Sequence, residues 1–553
     1  MSASLIFVGA IPLAWLIPNH YLPWASAWQD GAALFLLFAA AVCGKTRAII
    51  PVPWIAAIAV AVGSVAMQWI TGRIIFAGDA VIVLLYLGAF LLSLAVGSGL
   101  NTQRKEISTL VLNAAMLALV VSAMASVGIA LLQWTGNAVL GLWSADLPPG
   151  ARPFANVGQP NHLCTLAFLG LCGLLLLRET ACIGVVGFWV GATYILAGMV
   201  LSGSRTGWVQ VTVLVLLALT FLGKTSSRLR GWHLIALSLI YVAATLAWPL
   251  INEALLLSGG RGVMKQIEGG ARLPLWIALL DAVGREPWSG YGWQQVAVAQ
   301  QAVSLDYPPI QRHFEHSHNI ALDLLLWAGI PMGGAIIVFG ALALWLQVRA
   351  IRDPRALWLV AAVLGVISHG FLEFPIEYAY FLIPAGLALG AANALGNAGP
   401  QVNLGVWMHR VAAVAGLVVL AVVGLEYLQA EQSHRLLRLE SARVGTTGIE
   451  SKAPDLLVLT QLGAILEFAR TEAHTAMSPA ELERMRAVAQ RYPFPPIMLR
   501  YALAVGLNGN PAEARLTLAR LCSVHPPDRC DEARESWTQL RDRFPTLTSA
   551  PLP

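Results

Sequence analysis

The feature that most constrains the fold is a series of apolar segments long enough to cross a bilayer as helices. The chain has 553 residues, of which 57% are hydrophobic and only 12% are charged. Soluble proteins are about 45–50% apolar and about 25% charged. A membrane-spanning helix needs about 20 mainly apolar residues. The sequence therefore predicts an all-α, polytopic membrane protein with about 13 transmembrane helices. The thirteen segments lie near 4–17, 30–43, 51–70, 80–99, 108–133, 161–177, 182–203, 207–223, 232–251, 319–348, 357–373, 378–398 and 409–428.

The distribution of lysine and arginine between alternate loops predicts the orientation. Twelve of these residues fall in one set of short loops and three in the other. By the positive-inside rule the richer set is cytoplasmic. The N-terminus, which lacks the features of a cleaved signal peptide, is then cytoplasmic. Thirteen crossings place the C-terminus and the long loop 252–317 outside. The twelve are Lys45, Arg47, Arg104, Lys105, Arg178, Lys224, Arg228, Arg230, Arg349, Arg352, Arg355 and Arg410, and the three are Arg73, Arg152 and Arg205.

The C-terminal part of the chain has a different composition from the membrane domain, residues 1–428. Between 429 and 553 charges are frequent and apolar residues recur at helical spacing. A turn signal, Asn-Gly-Asn-Pro at 508–511, separates two predicted helices that resemble one tetratricopeptide unit. We predict a small helical domain on the outer face. A disulfide between Cys522 and Cys530 would suit an oxidising compartment, but the sequence leaves it open.

A cluster of ionisable residues marks the point where the long outer loop meets an apolar segment. Residues 315–319 read EHSHN. An imidazole has a reference pKa of about 6.5, so it can accept a proton from an alcohol near neutral pH. Ionisable groups at a membrane boundary are costly and usually functional. The alternative is that they only anchor the helix end at the interface.

Several arginines fall in other loops on the same predicted face. Arg152 begins the stretch RPFANVGQPNH, and Arg205 lies in a tight connection between two segments. An arginine fork forms paired hydrogen bonds with phosphate. Arginines near a general base suggest a phosphate-bearing leaving group, such as the pyrophosphate of a lipid-linked donor. For Arg73 we accept the alternative of a lipid-headgroup contact. The long loop adds Arg261, Lys265, Arg272 and Arg312.

Metal chemistry is not predicted for this face. No Asp-X-Asp pair occurs in an outer loop, and Glu315, Glu373 and Glu377 are isolated. Three histidines within six residues of a loop, 313–318, are weak support for a zinc site. We expect neither a metal, nor another cofactor, nor a nucleic-acid partner.

Four elements of the sequence resemble the bacterial O-antigen ligase superfamily, and within it the PglL-type protein O-oligosaccharyltransferases. The superfamily signature is a histidine, a small polar residue, nine residues and a glycine-rich turn. Here it comprises His318, Asn319, residues 320–328 and the turn 329–333. The other elements are Gln159-Pro160-Asn161 after an arginine-bearing loop, Glu373-Phe374-Pro375 followed by tyrosines, and Ser204-Arg205. The N-terminal stretch 11–21 and an outer C-terminal domain are also typical of this branch.

The resemblance implies transfer of a preassembled glycan from undecaprenyl pyrophosphate to an acceptor in the periplasm, without a metal. The enzyme would lie in the bacterial inner membrane. His318 would be the general base, Arg205 would stabilise the pyrophosphate, and Gln159 would help to position the reactants. Whether Tyr378 or Tyr380 positions a substrate stays open. The residues predicted to bind substrates are Arg152, Asn161, Arg272, His316, Asn319, Glu373, Tyr378 and Tyr380.

The acceptor is the main open question at this stage. The C-terminal domain and the Gln-Pro-Asn element favour Ser or Thr hydroxyls of a periplasmic protein such as a pilin. A glycolipid acceptor, as in an O-antigen ligase or polymerase, is the first alternative. A lipid-linked glycan transporter is the second, although transporters place ionisable residues near the bilayer midplane.

Overall fold

The computed structural model describes residues 3–45, 47–100, 105–255, 257, 272–442 and 452–549. It is 74% helical, which confirms the predicted all-α class. Nine of the described helices are long and apolar enough to cross a membrane. The protein is therefore a multi-pass membrane protein. Arg104, Arg261 and Lys265 lie outside the described residues.

The helices follow the chain in the order predicted from the apolar segments. Up to the long loop they are α1 (Ala3–Ala10), α2 (Ala27–Cys43), α3 (Val52–Ile70), α4 (Ala77–Gly99), α5 (Lys105–Trp134), α6 (Pro160–Glu179), α7 (Val185–Leu201), α8 (Thr206–Phe221) and α9 (Gly231–Ala254). The long loop contains α10 (Arg272–Arg285) and α11 (Val296–Val303). After it come α12 (Ile320–Arg349), α13 (Pro354–Gly370), α14 (Ala379–Gly396) and α15 (Val406–Ser441). The C-terminal helices are α16 (Thr460–Arg470), α17 (Pro479–Arg491), α18 (Pro495–Leu507), α19 (Pro511–Val524) and α20 (Pro527–Arg543).

Each of the thirteen predicted segments coincides with a described helix, but four of these helices are short. A helix rises about 1.5 Å per residue, so 17 residues cover about 26 Å, slightly less than a hydrocarbon core of about 30 Å. The number of crossings beyond the nine long helices therefore stays a prediction. Helix α1 is followed directly by a 3-10 helix, Ile11–Leu16, and the two form one short apolar helix. The four short helices are Ser4–Leu16, Ala27–Cys43, Val185–Leu201 and Pro354–Gly370.

One small sheet was not predicted from the sequence. The strands β1 (Ala48–Pro51) and β2 (Gln401–Leu404) pair in antiparallel register, with Ala48 opposite Leu404. Both strands lie beside predicted membrane segments, and each has only four residues. Such short runs show no distinctive strand pattern in the sequence.

The chain forms two compact units. The first comprises Met1–Ile58, Leu85–Glu268 and Val338–Leu420. Among the nine long apolar helices, α6 is the most buried, with 89% of its most apolar 18-residue stretch inside the protein. Small residues let neighbouring helices approach it, as small residues do in membrane bundles. A Cβ at Gly170 would lie 2.6 Å from the Ala123 side chain.

The second unit comprises Ala59–Leu84, Gly269–Ile337 and Ala421–Pro553. It thus combines the C-terminal helices with the long-loop helices and parts of α3, α4 and α12. The predicted turn is confirmed, because α18 ends at Leu507, α19 begins at Pro511, and Gly509 has φ +85°. Cys522 and Cys530 form a disulfide. The predicted domain boundary at 428/429 stays a prediction.

Candidate active site

The residues predicted to form the site are distributed over both units. The first unit holds Arg152, Gln159, Asn161, Arg205, Glu373, Tyr378 and Tyr380. The second holds Arg272, His316, His318 and Asn319.

The backbone of Ser317 ties the histidine loop, residues 313–319, to two helices. The Ser317 N–H donates to Asp323 Oδ1 at 2.8 Å. Its carbonyl accepts a hydrogen bond from Trp276 Nε1 at 2.8 Å. Ser317 is fully buried, so both bonds are protected from water. Arg272, the first residue of α10, lies one helical turn before Trp276. The loop is therefore fixed from both α10 and α12.

His318 itself has an unusual backbone conformation. Its φ is +58°, in the left-handed region that residues with a side chain rarely adopt. Such a conformation costs about 1–3 kcal/mol and persists only where the surroundings impose it. The bonds at Ser317 supply that constraint. The imidazole stands edge-on to Phe314, with the ring centroids 5.6 Å apart. This backbone therefore fixes the direction in which the imidazole leaves the chain.

The spacing of the signature motif has a structural reason. Asn319 Oδ1 accepts from the N–H groups of Ala321 (3.1 Å) and Leu322 (3.3 Å), so Asn319 caps α12. The nine residues 320–328 form about two and a half helical turns. At Gly329 the helix is interrupted, with φ +74°. A Cβ there would lie 2.6 Å from the Trp288 carbonyl, so only glycine fits.

The other histidines of the loop have different surroundings. His313 packs against Phe494 and His525, with centroids 5.6 and 6.1 Å away. Burial lowers the pKa of His313 to about 4, although the nearby Glu315 carboxylate opposes this shift. His313 is therefore neutral near pH 7 and belongs to the contact with the C-terminal helices. His316 is half-buried.

In the first unit, Arg205 follows a tight hairpin built from serines and glycine. Ser202 Oγ accepts from the Ser204 N–H and Ser204 Oγ from the Thr206 N–H, both at 3.2 Å. Gly203 has φ +54°, which favours glycine. These bonds stabilise the short connection between α7 and α8. The hairpin therefore fixes the position from which the Arg205 side chain extends.

Arg152 supports the same hairpin. Its Nη1 donates to the carbonyl oxygens of Ser202 (2.9 Å) and Gly203 (3.0 Å). The structure thus brings together two arginines that are more than 50 residues apart in sequence. Both bonds come from Arg152 Nη1 and hold the backbone of the hairpin just before Arg205. Arg152 therefore contributes to positioning Arg205.

The loop before α6 is braced by two amides whose role the sequence did not predict. Gln133 accepts from the N–H groups of Phe154 (3.1 Å) and Ala155 (2.7 Å), and it donates to the Ala155 carbonyl (2.9 Å). Asn156 is fully buried and donates to the Leu16 carbonyl at 2.9 Å. No sequence pattern singles out Gln133, the last residue of a predicted apolar segment. Together they fix the start of α6, where Gln159 is the N-cap residue.

His20 completes this corner of the first unit. Its Nε2 lies 2.8 Å from the Asn156 carbonyl, and its ring lies 3.0 Å from where a Cβ of Gly158 would be. Burial lowers the pKa of His20, although the backbone bond with Asn156 opposes the shift. The N-terminal stretch 11–21 thus packs against the loop directly before the Gln-Pro-Asn element. The sequence identifies this stretch only as typical of the family.

Two of the predicted substrate-binding residues pair directly. Asn161 Nδ2 donates to Glu373 Oε1 at 3.0 Å. The two tyrosines differ in access: Tyr380 is 2% exposed and packs in the core, whereas Tyr378 is half-buried. The Tyr378 ring stands edge-on to His162 at 4.7 Å. Tyr378 is therefore the more accessible of the two tyrosines.

A buried polar network within the first unit was missed at the sequence level. Gln210 donates to Thr165 Oγ1 at 2.8 Å and to the Gly365 carbonyl at 3.1 Å. Thr165 Oγ1 also lies 2.8 Å from His369 Nδ1. Polar residues inside membrane helices are costly, which could have singled them out. The network joins α6, α8 and α13, the helices that carry or adjoin the predicted site residues.

Comparisons with known proteins agree with the signature elements. The O-Antigen ligase family profile matches residues 190–335, and a profile described as "Virulence factor membrane-bound polymerase, C-terminal" matches residues 356–540. A General O-oligosaccharyltransferase of Acinetobacter baylyi is 27% identical over 94% of this chain and 91% of its own. A ComP-specific O-oligosaccharyltransferase of the same organism is 30% identical over 43% of each chain. This chain is therefore similar to O-antigen ligases in its central part and to O-oligosaccharyltransferases over nearly its whole length.

Proposed function

We propose that the protein transfers a preassembled oligosaccharide from undecaprenyl pyrophosphate to Ser or Thr hydroxyls of periplasmic proteins such as pilins. The observation that carries the proposal is the similarity to a General O-oligosaccharyltransferase over 94% of this chain. It covers both the membrane helices and the C-terminal helices, so the similarity is not confined to one part of the chain.

In the proposed reaction His318 is the general base. Its imidazole takes the proton of the acceptor hydroxyl while the oxygen attacks the anomeric carbon of the donor sugar. The bond between that carbon and the pyrophosphate oxygen breaks, and the pyrophosphate leaves with the electron pair. Attack opposite the leaving group inverts the anomeric configuration. General-base catalysis contributes typically about 10²–10⁴-fold. The capped helix and the bonds at Ser317 support a base of fixed orientation.

Arg205 has the second role in the proposal, stabilisation of the leaving pyrophosphate. Negative charge grows on the bridging oxygen in the transition state, and a pre-positioned guanidinium stabilises it without reorganisation. The rigid hairpin before α8 and its support by Arg152 favour this role. Pyrophosphate leaves readily, so the reaction needs no general acid. Gln159 and Tyr378 are proposed to position donor and acceptor, with Asn161 and Glu373 as a supporting pair.

We further propose that the enzyme lies in the bacterial inner membrane with its C-terminal helices in the periplasm. The disulfide between Cys522 and Cys530 supports an oxidising compartment for this region. The loop bearing His318 belongs to the same compact unit. The donor glycan and the acceptor would then meet the enzyme on the periplasmic side.

The direct test is intact-mass spectrometry of candidate pilins co-expressed with this protein and a lipid-linked glycan. We expect a mass increase of one oligosaccharide, which is absent when the co-expressed enzyme carries His318→Ala. Unmodified pilins under conditions that glycosylate lipid A core would contradict a protein acceptor.

A glycolipid acceptor is the second candidate function. It is favoured by the descriptions of the two matching families, which name a ligase and a polymerase. The two candidates share the donor and the proposed base, so they differ only in the acceptor. Supplying purified pilin and lipid A core together in one reaction would distinguish them by the product formed.

A further inference from the structure

Helix α10 exposes an apolar stripe on the face opposite its own packing contacts. Leu273, Ile277 and Leu280 are 65, 52 and 58% exposed, and Gly284 is exposed as well. At about 100° per residue, these four positions fall within an arc of about 60°. Large apolar side chains are seldom aligned in this way on a surface that faces water.

The opposite face of α10 is already fully packed. Leu275, Leu279 and Ala282 are completely buried, and they lie about 180° from the exposed stripe. The helix therefore needs no further partner within its own unit. The stripe is bordered on one side by the polar pair Asp281 and Arg285, which are joined at 2.6 Å. The helix is thus apolar on two faces and polar between them.

The stripe continues towards exposed residues at a helix that is long and apolar enough to cross the membrane. Trp288, just after α10, is 78% exposed, and Ile330 is 51% exposed. The two regions are joined, because the Ile330 N–H donates to the Pro287 carbonyl at 2.7 Å. Ile330 belongs to α12, one of the helices long and apolar enough to cross the membrane. The exposed side chains after α10 and those of a membrane helix therefore lie beside each other.

We propose that the exposed stripe of α10, together with Trp288, lies in the outer leaflet of the bilayer as an interfacial helix. Interfacial helices bury an apolar face at the boundary between headgroups and acyl chains. Tryptophan prefers this depth because its ring is apolar and its N–H is polar. The occupant of the stripe is therefore lipid.

The consequence concerns the histidine loop, and this step rests on the proposed function. Trp276 lies in α10 and donates to the Ser317 carbonyl, next to His318. A helix held at the membrane surface would thus set the depth of His318. The pyrophosphate of a lipid-linked donor lies at the same depth, because its tail is in the bilayer. We infer that α10 holds His318 at the depth of the pyrophosphate of a membrane-held donor.

The lipid contact can be measured without any assay of activity. An environment-sensitive fluorescent amino acid would be placed at Ile277 in the full-length protein in phosphatidylcholine nanodiscs. We expect strong quenching by lipids brominated near the headgroup and weak quenching by iodide. The same probe at Arg529, exposed on α20, should show the reverse. Equal iodide quenching at both positions would overturn the proposal. Protection from both quenchers would indicate a protein partner or a second copy.

The catalytic consequence needs a comparison of two donors. The double variant Ile277→Glu/Leu280→Glu should lose about tenfold or more activity with undecaprenyl-linked donor in proteoliposomes. With a short-chain, water-soluble donor in detergent it should stay within about twofold of wild type. Leu439→Glu, an exposed apolar position on α15, serves as the matched control. Equal loss with both donors would contradict a depth effect. An inactive wild type would count against the proposed function alone.

Discussion

At the scale of single residues, the candidate base His318 has a strained backbone, and Arg205, the arginine proposed to stabilise the pyrophosphate, directly follows a tight turn. His318 has φ +58° and is bordered by Ser317, whose N–H and carbonyl are both bonded. Backbone strain of this kind clusters at functional sites. It is an observation that the sequence could not supply. The sequence singles out His318 only through the family signature, whereas the structure shows how its surroundings differ from those of His313.

The first prediction separates the base from the other histidines. In a purified assay with lipid-linked donor and pilin, His318→Ala should abolish transfer while donor binding persists. His313→Ala should retain substantial activity. It should also leave the pH profile between about pH 5 and 8 unchanged, because burial lowers the pKa of His313 to about 4 and keeps it neutral. His316→Ala should be intermediate.

Two outcomes would contradict this assignment. Full activity of the His318→Ala protein would leave the reaction without a base. Strong inhibition of the wild type by EDTA, reversed by added divalent metal, would make the histidines metal ligands. We expect no inhibition by EDTA.

The second prediction concerns the pyrophosphate. Arg205→Lys keeps the charge but loses the paired donors of the guanidinium, so most activity should be lost. Arg73→Lys is the control and should be nearly silent. Arg73 was expected to meet a lipid headgroup, but it pairs with Glu286 at 3.0 Å, with its side chain 43% exposed. Such a pair contributes only about 0–1 kcal/mol. Similar kcat/KM values for the two variants would reduce Arg205 to a surface contact.

At the scale of elements, the corner between α19 and α20 holds the segment that leads to the histidine loop. Ser523 Oγ donates to the Ser304 carbonyl, and the Ser523 carbonyl accepts from the Gln311 N–H at 3.2 Å. Ser523 adjoins Cys522, whose disulfide with Cys530 closes this corner. The C-terminal helices thus contact the long loop through backbone groups, which sequence patterns do not reveal.

The third prediction follows from this corner. The variant Cys522→Ser/Cys530→Ser should lower kcat several-fold with little change in the KM for donor, because the histidine loop loses a support while Arg205 is untouched. Cys182→Ser, at an exposed free cysteine, should behave like wild type. Steady-state kinetics after expression in an oxidising compartment provides the measurement. Unchanged kcat in the double variant would show that the corner does not support the loop.

The fourth prediction concerns the ion pair of Arg491 and Asp79, which joins α17 to the start of α4. Arg491 Nε lies 3.0 Å from Asp79 Oδ2, and the side chains are 10 and 5% exposed. Arg491→Gln would leave a buried carboxylate unpaired, at a cost of about 3–5 kcal/mol. Hydrogen exchange in α17 should rise accordingly. The double change Arg491→Met/Asp79→Leu should recover most of the loss, and failure to recover would exclude this explanation.

The sequence predicted the elements far better than their contacts. Apolar length located the nine described helices that are long enough to cross a membrane, and glycine and proline located the turn before Pro511, because these signals are local. Helices α10 and α11 and the strand pair were missed. Helix α10 is apolar on two opposite faces, so no single apolar stripe stands out, and α11 and the strands have only eight and four residues. The pairing of Asn161 with Glu373 and the support of the Arg205 hairpin by Arg152 depend on how distant helices pack. Such contacts cannot be read from spacing along one chain.

At the scale of the whole molecule, sidedness is the property on which the proposed site depends. The loops bearing Arg152, Arg205 and His318 must all face the same compartment as the acceptor. That arrangement requires an even number of crossings between each pair of these loops, whereas an odd total places the C-terminal helices opposite a cytoplasmic N-terminus. Four of the predicted crossings are short helices, so the count needs a direct measurement.

The last prediction is therefore the topology. Reporter fusions after Arg230 and Arg355 should be active only as cytoplasmic reporters, because both follow loops rich in lysine and arginine. Fusions after Pro160, Gly290 and Pro553 should be active only as periplasmic reporters. Paired alkaline phosphatase and green fluorescent protein fusions give opposite signals at each position, which controls for expression. A cytoplasmic signal at Pro553 with periplasmic signals at Pro160 and Gly290 would place the error in the last crossings, which flank Glu373 and Tyr378, and would undo their assignment to the site. A cytoplasmic signal at Gly290 would separate His318 from the acceptor and refute the mechanism.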